Sequence, residues 1–193
     1  MRCVRLPWSR QVCATINRAL IHALPPPPWT NGPIRLYHGT GLASATEILA
    51  TGVVVSRGRP GTDFGPGFYT TTLERQAQTW AYEQADRDNA PAAVVALDLS
   101  REDLAGLATL SFVRGDFAAE DFWSFVVHCR LALDGGHARW GGNKLYDVVA
   151  GPVSSFWKQR LLIANVDQIS FHSFAAQNIL NAAPKEISWI SNR

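Results

Sequence analysis

Two short segments of the sequence combine glycine with a side chain that can bind a planar, polar ligand. They are residues 36–40 (LYHGT) and residues 63–72 (DFGPGFYTTT). The imidazole of His38 can exchange hydrogen bonds with sugar hydroxyls, and Gly39 lets a ligand approach the main-chain N–H and C=O. Tyr69 presents an aromatic face beside the glycines of its own segment. Together these groups suit a ligand that carries an amide and a sugar.

The same groups match the nicotinamide end of NAD⁺. Nicotinamide in NAD⁺ is a planar cation that carries a carboxamide and is attached to a ribose, and aromatic rings bind cationic rings well. Arg57 and Arg59 lie between the two segments, where their guanidinium forks could meet a pyrophosphate. A solvated loop arginine is an equally good interpretation of each. The glycine-rich stretch 58–67 fits neither the Rossmann fingerprint nor the phosphate loop.

Other chemistries lack support in the sequence. The five histidines are scattered, and no HExxH or CxxC occurs, so we expect no metal site. The absence of GxSxG argues against a serine hydrolase. Cys129 falls in an apolar helical pattern, which favours a core thiol over a nucleophile.

Composition favours one globular domain, and we expect it to act as a monomer. The chain has 193 residues, of which 47% are hydrophobic and 18% charged, which is enough to build a full core. A net charge of +2 is too small to indicate a nucleic-acid partner. Three cysteines, an odd number, favour a reducing compartment over a disulfide framework.

The sequence predicts no membrane partner, because no apolar run is long enough to cross a bilayer. Arg2, Arg5 and Arg10 precede a segment that is too polar for a conventional signal peptide. We therefore expect a cytoplasmic protein, or one that a specialised system secretes into a host or competitor cell.

Three regions follow from the distribution of proline and apolar residues. Residues 1–24 are predicted to form an N-terminal helical arm, residues 25–32 a Pro-rich connector, and residues 33–193 the main domain. The four prolines at 25–28 cannot continue a helix and favour an extended segment.

Within the main domain, strands and helices mix without regular βαβ alternation, which predicts an α+β fold with a bent or split sheet. Helices are predicted over 42–51, 73–85, 120–131 and 153–162, and strands over 34–38, 53–55, 68–71, 92–99, 146–150 and 168–172.

The order of the motifs resembles a known superfamily. Residues 37–40 (YHGT) followed by 65–69 (GPGFY) resemble the His and Tyr motifs of the diphtheria-toxin/poly(ADP-ribose) polymerase branch of ADP-ribosyltransferases. More closely, the chain resembles a bacterial domain family of that superfamily over about residues 34–180. The further shared segments are 76–81 (QAQTWA), 123–130 (WSFVVHCR), 146–153 (YDVVAGPV) and 168–172 (QISFH). Ubiquitin-modifying ADP-ribosyltransferase effectors of bacterial pathogens are a weaker resemblance.

The resemblance implies an ADP-ribosyltransferase-like split sheet and a role for each motif residue. His38 would hold the nicotinamide ribose, Gly39 would pair through its backbone with the carboxamide, and Tyr69 would stack on the nicotinamide. The implied catalytic set is His38, Tyr69 and Gln168. The implied NAD⁺-binding set is Tyr37, His38, Gly39, Thr40, Arg57, Phe64, Gly67, Phe68 and Tyr69.

The third motif of that superfamily usually carries a glutamate, whereas this chain has Gln168. Glutamine can bond a ribose hydroxyl but cannot act as a carboxylate base, which makes poly-chain elongation an unsuitable activity. Three nearby carboxylates are candidates for the missing base. We favour a turn cap for Asp63 and a structural donor for Asp147, and we expect Asp167 to point to the opposite face of its strand.

The expected function is therefore mono-ADP-ribosylation: transfer of ADP-ribose from NAD⁺ to a protein, with release of nicotinamide. A Thr or Ser hydroxyl is the expected acceptor, ubiquitin is one candidate protein, and a bacterial effector or toxin is the implied biological setting. A catalytically silent NAD⁺ or ADP-ribose module and an NAD⁺ glycohydrolase are the alternatives.

Overall fold

Two small β-sheets and five α-helices make up the part of the chain that the structure describes. The structure is a computed structural model, and it describes residues 32–113, 119–132, 136–139 and 145–191. The predicted helical arm at 1–24 and the connector up to residue 31 lie outside the described residues. The mixture of helices and strands confirms the predicted α+β class.

The elements follow one another without a repeating unit. The strands are β1 (Ile34–Gly41), β2 (Phe68–Thr70), β3 (Ala92–Leu99), β4 (Thr109–Ser111), β5 (Val148–Phe156), β6 (Leu161–Phe171) and β7 (Lys185–Ile190). The α-helices are α1 (Leu42–Thr51), α2 (Glu74–Asp88), α3 (Arg101–Ala105), α4 (Glu120–Leu131) and α5 (Phe174–Ala182). Short 3₁₀ turns occur at Val55–Arg57, Gly136–Arg139 and Trp157–Gln159.

The two sheets touch at one point and then separate. The first has the order β1-β3-β7, and the second has the order β2-β6-β5-β4. Tyr37 of β1 and Thr71, just after β2, exchange two backbone hydrogen bonds of 2.9 Å. Because this is an isolated bridge, β1 and β2 diverge on either side of it, and the diverging strands leave a gap between the sheets.

Strand β3 is the centre of the first sheet and of the main core. Its residues from 92 to 97 are buried, and its neighbours β1 and β7 flank it on both edges. Side chains that include Val95, Leu97 and Leu99 pack into a cluster with α1 and α5, whereas Val94 packs on the opposite side against α2. Burial on both faces explains why the strand reads as a nearly continuous apolar run.

Helix α2 lies close against β1 because both surfaces carry small residues. Ala77, Ala81 and Ala85 repeat every four residues and form one buried stripe. A Cβ atom on Gly39 would lie 1.9 Å from the carbonyl oxygen of Ala77. Glycine is therefore required at this position to let the helix approach the strand.

The predicted end of the strand at 146–150 and the predicted helix at 153–162 are both wrong. Strand β5 does not end at Gly151-Pro152 but continues to Phe156, and residues 153–162 form no α-helix. Pro152 is tolerated because the pairing of β5 with β6 shifts register there, so the missing N–H removes no ladder bond. The Trp157–Gln159 turn and Arg160, at φ 55°, then reverse the chain into β6.

The strand predicted at 53–55 is also wrong. The backbone N–H groups of this segment donate hydrogen bonds to side chains of helix α5 and not to a neighbouring strand. The N–H of Val53 donates to Asn181 Oδ1 at 2.6 Å, and the N–H of Val55 donates to Gln177 Oε1 at 2.9 Å. Side-chain amides thus replace a partner strand, and the segment turns into a 3₁₀ helix.

Substitution of Gly39 by alanine tests the contact between α2 and β1. We expect Gly39→Ala to lower the free energy of unfolding by about 3 kcal/mol, because backbone atoms rather than a flexible side chain occupy the space of the new methyl group. Gly32→Ala is the matched control, since no atom of the described residues lies within 4 Å of its Cβ position, and should change stability by less than about 0.5 kcal/mol. Equal urea midpoints for the two variants would contradict this packing.

Candidate functional site

A cleft of 820 Å³ opens where β1 and β2 diverge, and most of the predicted site residues line it. This volume lies within the range of pockets that hold small molecules and cofactors. The predicted residues that the structure brings together here are His38, Gly39, Thr40, Arg57, Gly67, Phe68, Tyr69 and Gln168. They come from β1, the loop after α1, β2 and β6.

His38 is fixed in one orientation by β2. Its Nδ1 donates to the carbonyl oxygen of Tyr69 at 2.7 Å, and its ring stacks on Phe68 with centroids 4.2 Å apart. A carbonyl can only accept, so Nδ1 carries the proton and Nε2 of the neutral ring is an acceptor. Burial lowers the pKa of His38, although the bond to Tyr69 opposes this. The residue is therefore a neutral acceptor at pH 7.

The hydroxyl of Tyr69 forms hydrogen bonds with the glycine-rich loop. It accepts the N–H of Phe64 at 3.0 Å and donates to Thr62 Oγ1 at 2.9 Å. Thr62 Oγ1 donates in turn to the carbonyl of Gly65 at 2.6 Å. Burial raises the pKa of Tyr69 far above its usual value, so the phenol stays neutral. The aromatic ring is therefore the part of Tyr69 that a ligand in the cleft can use.

The backbone of Gly39 faces the gap between the sheets. The N–H and C=O of Tyr37 both bond to Thr71 on the β2 side. Residues two apart in a strand direct these groups to the same edge, so those of Gly39 also point toward β2, away from β3. Because β1 and β2 have separated at this position, one donor and one acceptor are presented to the cleft.

Gln168 lies at the floor of the cleft and is only 4% exposed. Its Nε2 donates to Asp63 Oδ2 and to the carbonyl of Pro152, both at 2.8 Å. Because both partners only accept, the nitrogen must face them, which fixes the orientation of the amide. Oε1 is therefore the one atom of the amide that remains for a ligand, and it is an acceptor.

Asp63 holds the floor of the cleft together. The carboxylate is 3% exposed and accepts from Arg130 Nε at 2.9 Å and from Arg130 Nη2 at 2.6 Å. It also accepts from the N–H of Ser154 at 2.8 Å and from the Ser154 hydroxyl. These bonds give Asp63 a structural role, but with distant partners rather than as the turn cap that we expected. Sequence reasoning missed its partners, which lie 67 and 91 residues away.

A pair of histidines holds the loop that carries Asp63. His137 Nδ1 donates to the carbonyl of Phe64 at 2.9 Å, and His172 Nδ1 donates to that of Pro66 at 2.7 Å. Their rings meet edge to face with centroids 4.4 Å apart. Burial lowers the pKa of both, and that of His172 falls to about 3. Both rings are neutral in the folded protein at pH 7.

Two residues predicted for the cofactor site do not line the cleft. Phe64 has no exposed surface, because it packs in an aromatic cluster with Phe112, Phe122 and Phe125. Tyr37 packs on the alanine stripe of α2 and has the Arg35 guanidinium 5.9 Å from its ring centroid. An aromatic residue close to glycine in the sequence can pack on the protein itself as well as on a ligand, and both of these residues do so.

The other carboxylates considered from the sequence have structural partners. Asp147 Oδ2 accepts the N–H of Ala108 at 2.8 Å, which confirms its expected role. Asp167 Oδ1 accepts from the Thr71 hydroxyl at 2.6 Å and from the N–H of Thr72 at 2.9 Å. Asp167 therefore points away from the cleft that Gln168 lines, as strand alternation predicts.

Comparison with known proteins places the chain in a family without assigning an activity. Residues 34–161 match a family described as protein of unknown function (DUF3990). The chain belongs to this family. No curated protein matches it. The match begins at the first residue of β1 and ends at the first residue of β6, so it includes His38, Asp63 and Tyr69, whereas Gln168 lies beyond it.

The cleft of this DUF3990 domain also contains residues that the sequence-based set omitted. Trp80, Glu83, Gln84 and Arg87 line it from α2, and Arg130 lines it from α4. The signal for Trp80 was present, since it belongs to the QAQTWA segment. Arg57 is exposed and forms an ion pair with Glu47 at 2.6 Å. Among the described residues, four arginines and three carboxylates line the cleft, so its charge is mixed.

Other features of the described residues limit the chemistry. Cys129 is completely buried, and burial raises the pKa of its thiol to about 12, which confirms a core thiol. No group of three or more His, Cys, Asp or Glu is placed to hold a metal ion in the described part of the chain. No helix among these residues is long and apolar enough to span a membrane.

The buried His172 of this pair predicts how the free energy of unfolding depends on pH. In the unfolded chain, His172 binds a proton below about pH 6.5, whereas in the folded protein its pKa is about 3. The unfolded state therefore gains protons first as the pH falls, and stability declines from about pH 6.5 toward pH 3. We expect His172 to account for about 2 kcal/mol of the stability lost between pH 7.5 and pH 5.

His172→Asn tests this, because an amide nitrogen can still donate to the loop but does not titrate. Urea unfolding at the two pH values should show a smaller loss for the variant than for the unsubstituted protein. Equal losses would show that His172 does not contribute to the pH dependence.

Proposed function

We propose that this DUF3990 domain is a mono-ADP-ribosyltransferase that takes NAD⁺ as its substrate, releases nicotinamide and transfers ADP-ribose to a protein. The observation that carries the proposal is the convergence of four groups in one cleft. These are the acceptor Nε2 of His38, the backbone of Gly39, the ring of Tyr69 and the acceptor Oε1 of Gln168.

Each group matches a different part of the nicotinamide riboside. The N–H and C=O of Gly39 complement a carboxamide, which has one acceptor and two donors. Tyr69 and Trp80 offer aromatic faces to the cationic ring. His38 and Gln168 each have an acceptor atom for a ribose hydroxyl. This division of roles uses the groups that the fold leaves available.

Two arginines of the cleft suit the pyrophosphate. Arg57 and Arg59 line the cleft from the loop after α1, and both side chains are exposed. A planar guanidinium group can donate two parallel hydrogen bonds to two oxygens of a phosphate. The ion pair of Arg57 with Glu47 is exposed, so it costs little to rearrange when an anion binds.

The reaction breaks the bond between ribose C1′ and the pyridinium nitrogen. The electron pair of this bond leaves with neutral nicotinamide, and a nucleophile of the acceptor, such as a Thr or Ser hydroxyl, forms a new bond to C1′ and loses its proton. The positive charge that develops on the ribose is stabilised by oriented acceptors such as those of His38 and Gln168. Gln168 cannot take the proton, so the proton goes to water or to another base.

A catalytically silent NAD⁺-binding module is the second candidate, and the bonding of Gln168 favours it. An amide whose nitrogen is held by Asp63 and Pro152, at the position where the reaction would profit from a carboxylate, is compatible with binding alone. Ubiquitin is the first acceptor to test, and an effector or toxin acting inside a host or competitor cell is the biological setting that we propose.

Transfer of label from NAD⁺ to protein in bacterial and host lysates tests the proposal. We expect nicotinamide release together with labelled protein, and a loss of about 10- to 100-fold in both for His38→Ala and Tyr69→Ala, since each loses an oriented contact to the substrate. Tyr69→Phe should retain more activity than Tyr69→Ala, because the ring remains. Nicotinamide release without labelled protein would indicate a glycohydrolase, and NAD⁺ binding without release would indicate the silent module.

Two aromatic residues of α2 provide a matched pair for the binding step. Trp80 lines the cleft, whereas Tyr82 packs against Trp189 with ring centroids 5.2 Å apart. Trp80→Ala should weaken NAD⁺ binding by about 5- to 10-fold, as expected for the loss of one stacked ring. Calorimetry should show an unchanged Kd for Tyr82→Ala. If Trp80→Ala binds NAD⁺ as tightly as Tyr82→Ala, the nicotinamide does not contact this helix.

A further inference from the structure

A buried carboxylate lies directly behind Gln168 and takes up one of its hydrogen-bonding groups. Asp63 Oδ2 is 2.8 Å from Gln168 Nε2, and both residues are less than 5% exposed. Since the second proton of Nε2 goes to Pro152 at 2.8 Å, the amide cannot rotate without losing two hydrogen bonds.

The other bonds of Asp63 keep this oxygen in place. Arg130 and the Ser154 hydroxyl approach Oδ1, while Oδ2 receives the Ser154 N–H and Gln168. Both oxygens of the carboxylate are therefore held by donors other than Gln168. The guanidinium of Arg130 pairs with this carboxylate and so offsets the cost of burying it.

We propose that Asp63 is a positioning residue that acts on the substrate through Gln168, an inference that rests on the proposed function. Asp63 fixes the amide so that Oε1, and not the amide nitrogen, faces the ribose. It also polarises the amide, because an N–H that donates to a carboxylate increases the electron density on the carbonyl oxygen of the same group. Oε1 thereby becomes a stronger acceptor without carrying a full charge.

This arrangement selects glutamine over glutamate at position 168. A glutamate would place a carboxylate oxygen where Nε2 now lies, beside Asp63 Oδ2 and the carbonyl of Pro152. Two attractive contacts would become repulsive, and the new carboxyl would be protonated more readily than usual because a like charge is adjacent. Gln168 is thus the residue whose amide complements the carboxylate of Asp63.

A thermodynamic cycle on stability tests the coupling without any assumption about activity. The four proteins are the unsubstituted chain, Asp63→Asn, Gln168→Glu and the double variant. Gln168→Glu should lower the folding equilibrium constant about tenfold or more when Asp63 is present, and by clearly less in the Asp63→Asn background, where the like charge is removed. Additive effects would overturn the proposal.

A second comparison covers the case in which Asp63→Asn does not fold. Gln168→Met has a similar shape to Gln168→Glu but does not titrate. If Asp63 faces position 168, Gln168→Glu should become less stable relative to Gln168→Met as the pH rises from 5 to 8, because its carboxyl must ionise beside Asp63. A pH-independent difference would contradict the contact.

The catalytic part of the proposal is tested by nicotinamide release from NAD⁺. Asp63→Asn should lower kcat about tenfold and change KM for NAD⁺ less than about threefold. Asp147→Asn is the control, since Asp147 accepts a backbone N–H at 2.8 Å but does not line the cleft, and per folded molecule its kcat should be unchanged. A kcat for Asp63→Asn equal to that of the control would overturn the proposal. If the unsubstituted protein releases no nicotinamide, the proposed function fails, and the stability cycle still decides whether Asp63 sets the orientation of Gln168.

Discussion

The buried carboxylate of Asp63 is the interaction on which the cleft depends. Its donors come from three separate elements: Arg130 at the end of α4, Ser154 in β5 and Gln168 in β6. A buried charge is costly unless it is paired and hydrogen-bonded, and removing one partner leaves that cost uncompensated. Hydrogen bonds to one carboxylate thus connect elements that are far apart in the sequence. They also hold the loop that carries Asp63 at the floor of the cleft.

The rest of that loop is ordered by side chains rather than by regular secondary structure. Three successive carbonyls, those of Phe64, Gly65 and Pro66, accept bonds from His137, Thr62 and His172. Buried carbonyls must find donors, and here each donor is also fixed elsewhere. In addition, a Cβ atom on Gly58 would lie 2.0 Å from the N of Gly67, so the two ends of the loop touch. The ring of Tyr69 is consequently presented on a rigid support.

A structural feature could be predicted from the sequence when its cause lies within a few neighbouring residues. The helices at 42–51 and 120–131 and the strand at 92–99 were predicted with the observed bounds, because apolar spacing acts over a few residues and Gly52 ends the first helix. The convergence of His38 and Tyr69 was predictable from glycine-flanked motifs. The orientation of Phe64 was not, because the aromatic cluster that buries it comes from distant segments. Likewise, β5 passes through Gly151-Pro152 because its pairing with β6 contains a bulge, which no local pattern reveals.

The charge balance of the cleft bears on what the proposed enzyme can modify. In a cleft without the carboxylate of Asp63, a glutamate at position 168 would offer both a negative field to the developing oxocarbenium ion and a base for the acceptor. Glutamine that is polarised by Asp63 retains part of the first property and none of the second. Positioning can still supply much of the acceleration for C–N cleavage, because nicotinamide is a good leaving group. Deprotonation of a hydroxyl is the step that Gln168 cannot assist, so another base has to take the proton or the proton has to be lost late. Acceptor choice would then be governed by chemistry on the partner's surface as much as by this cleft.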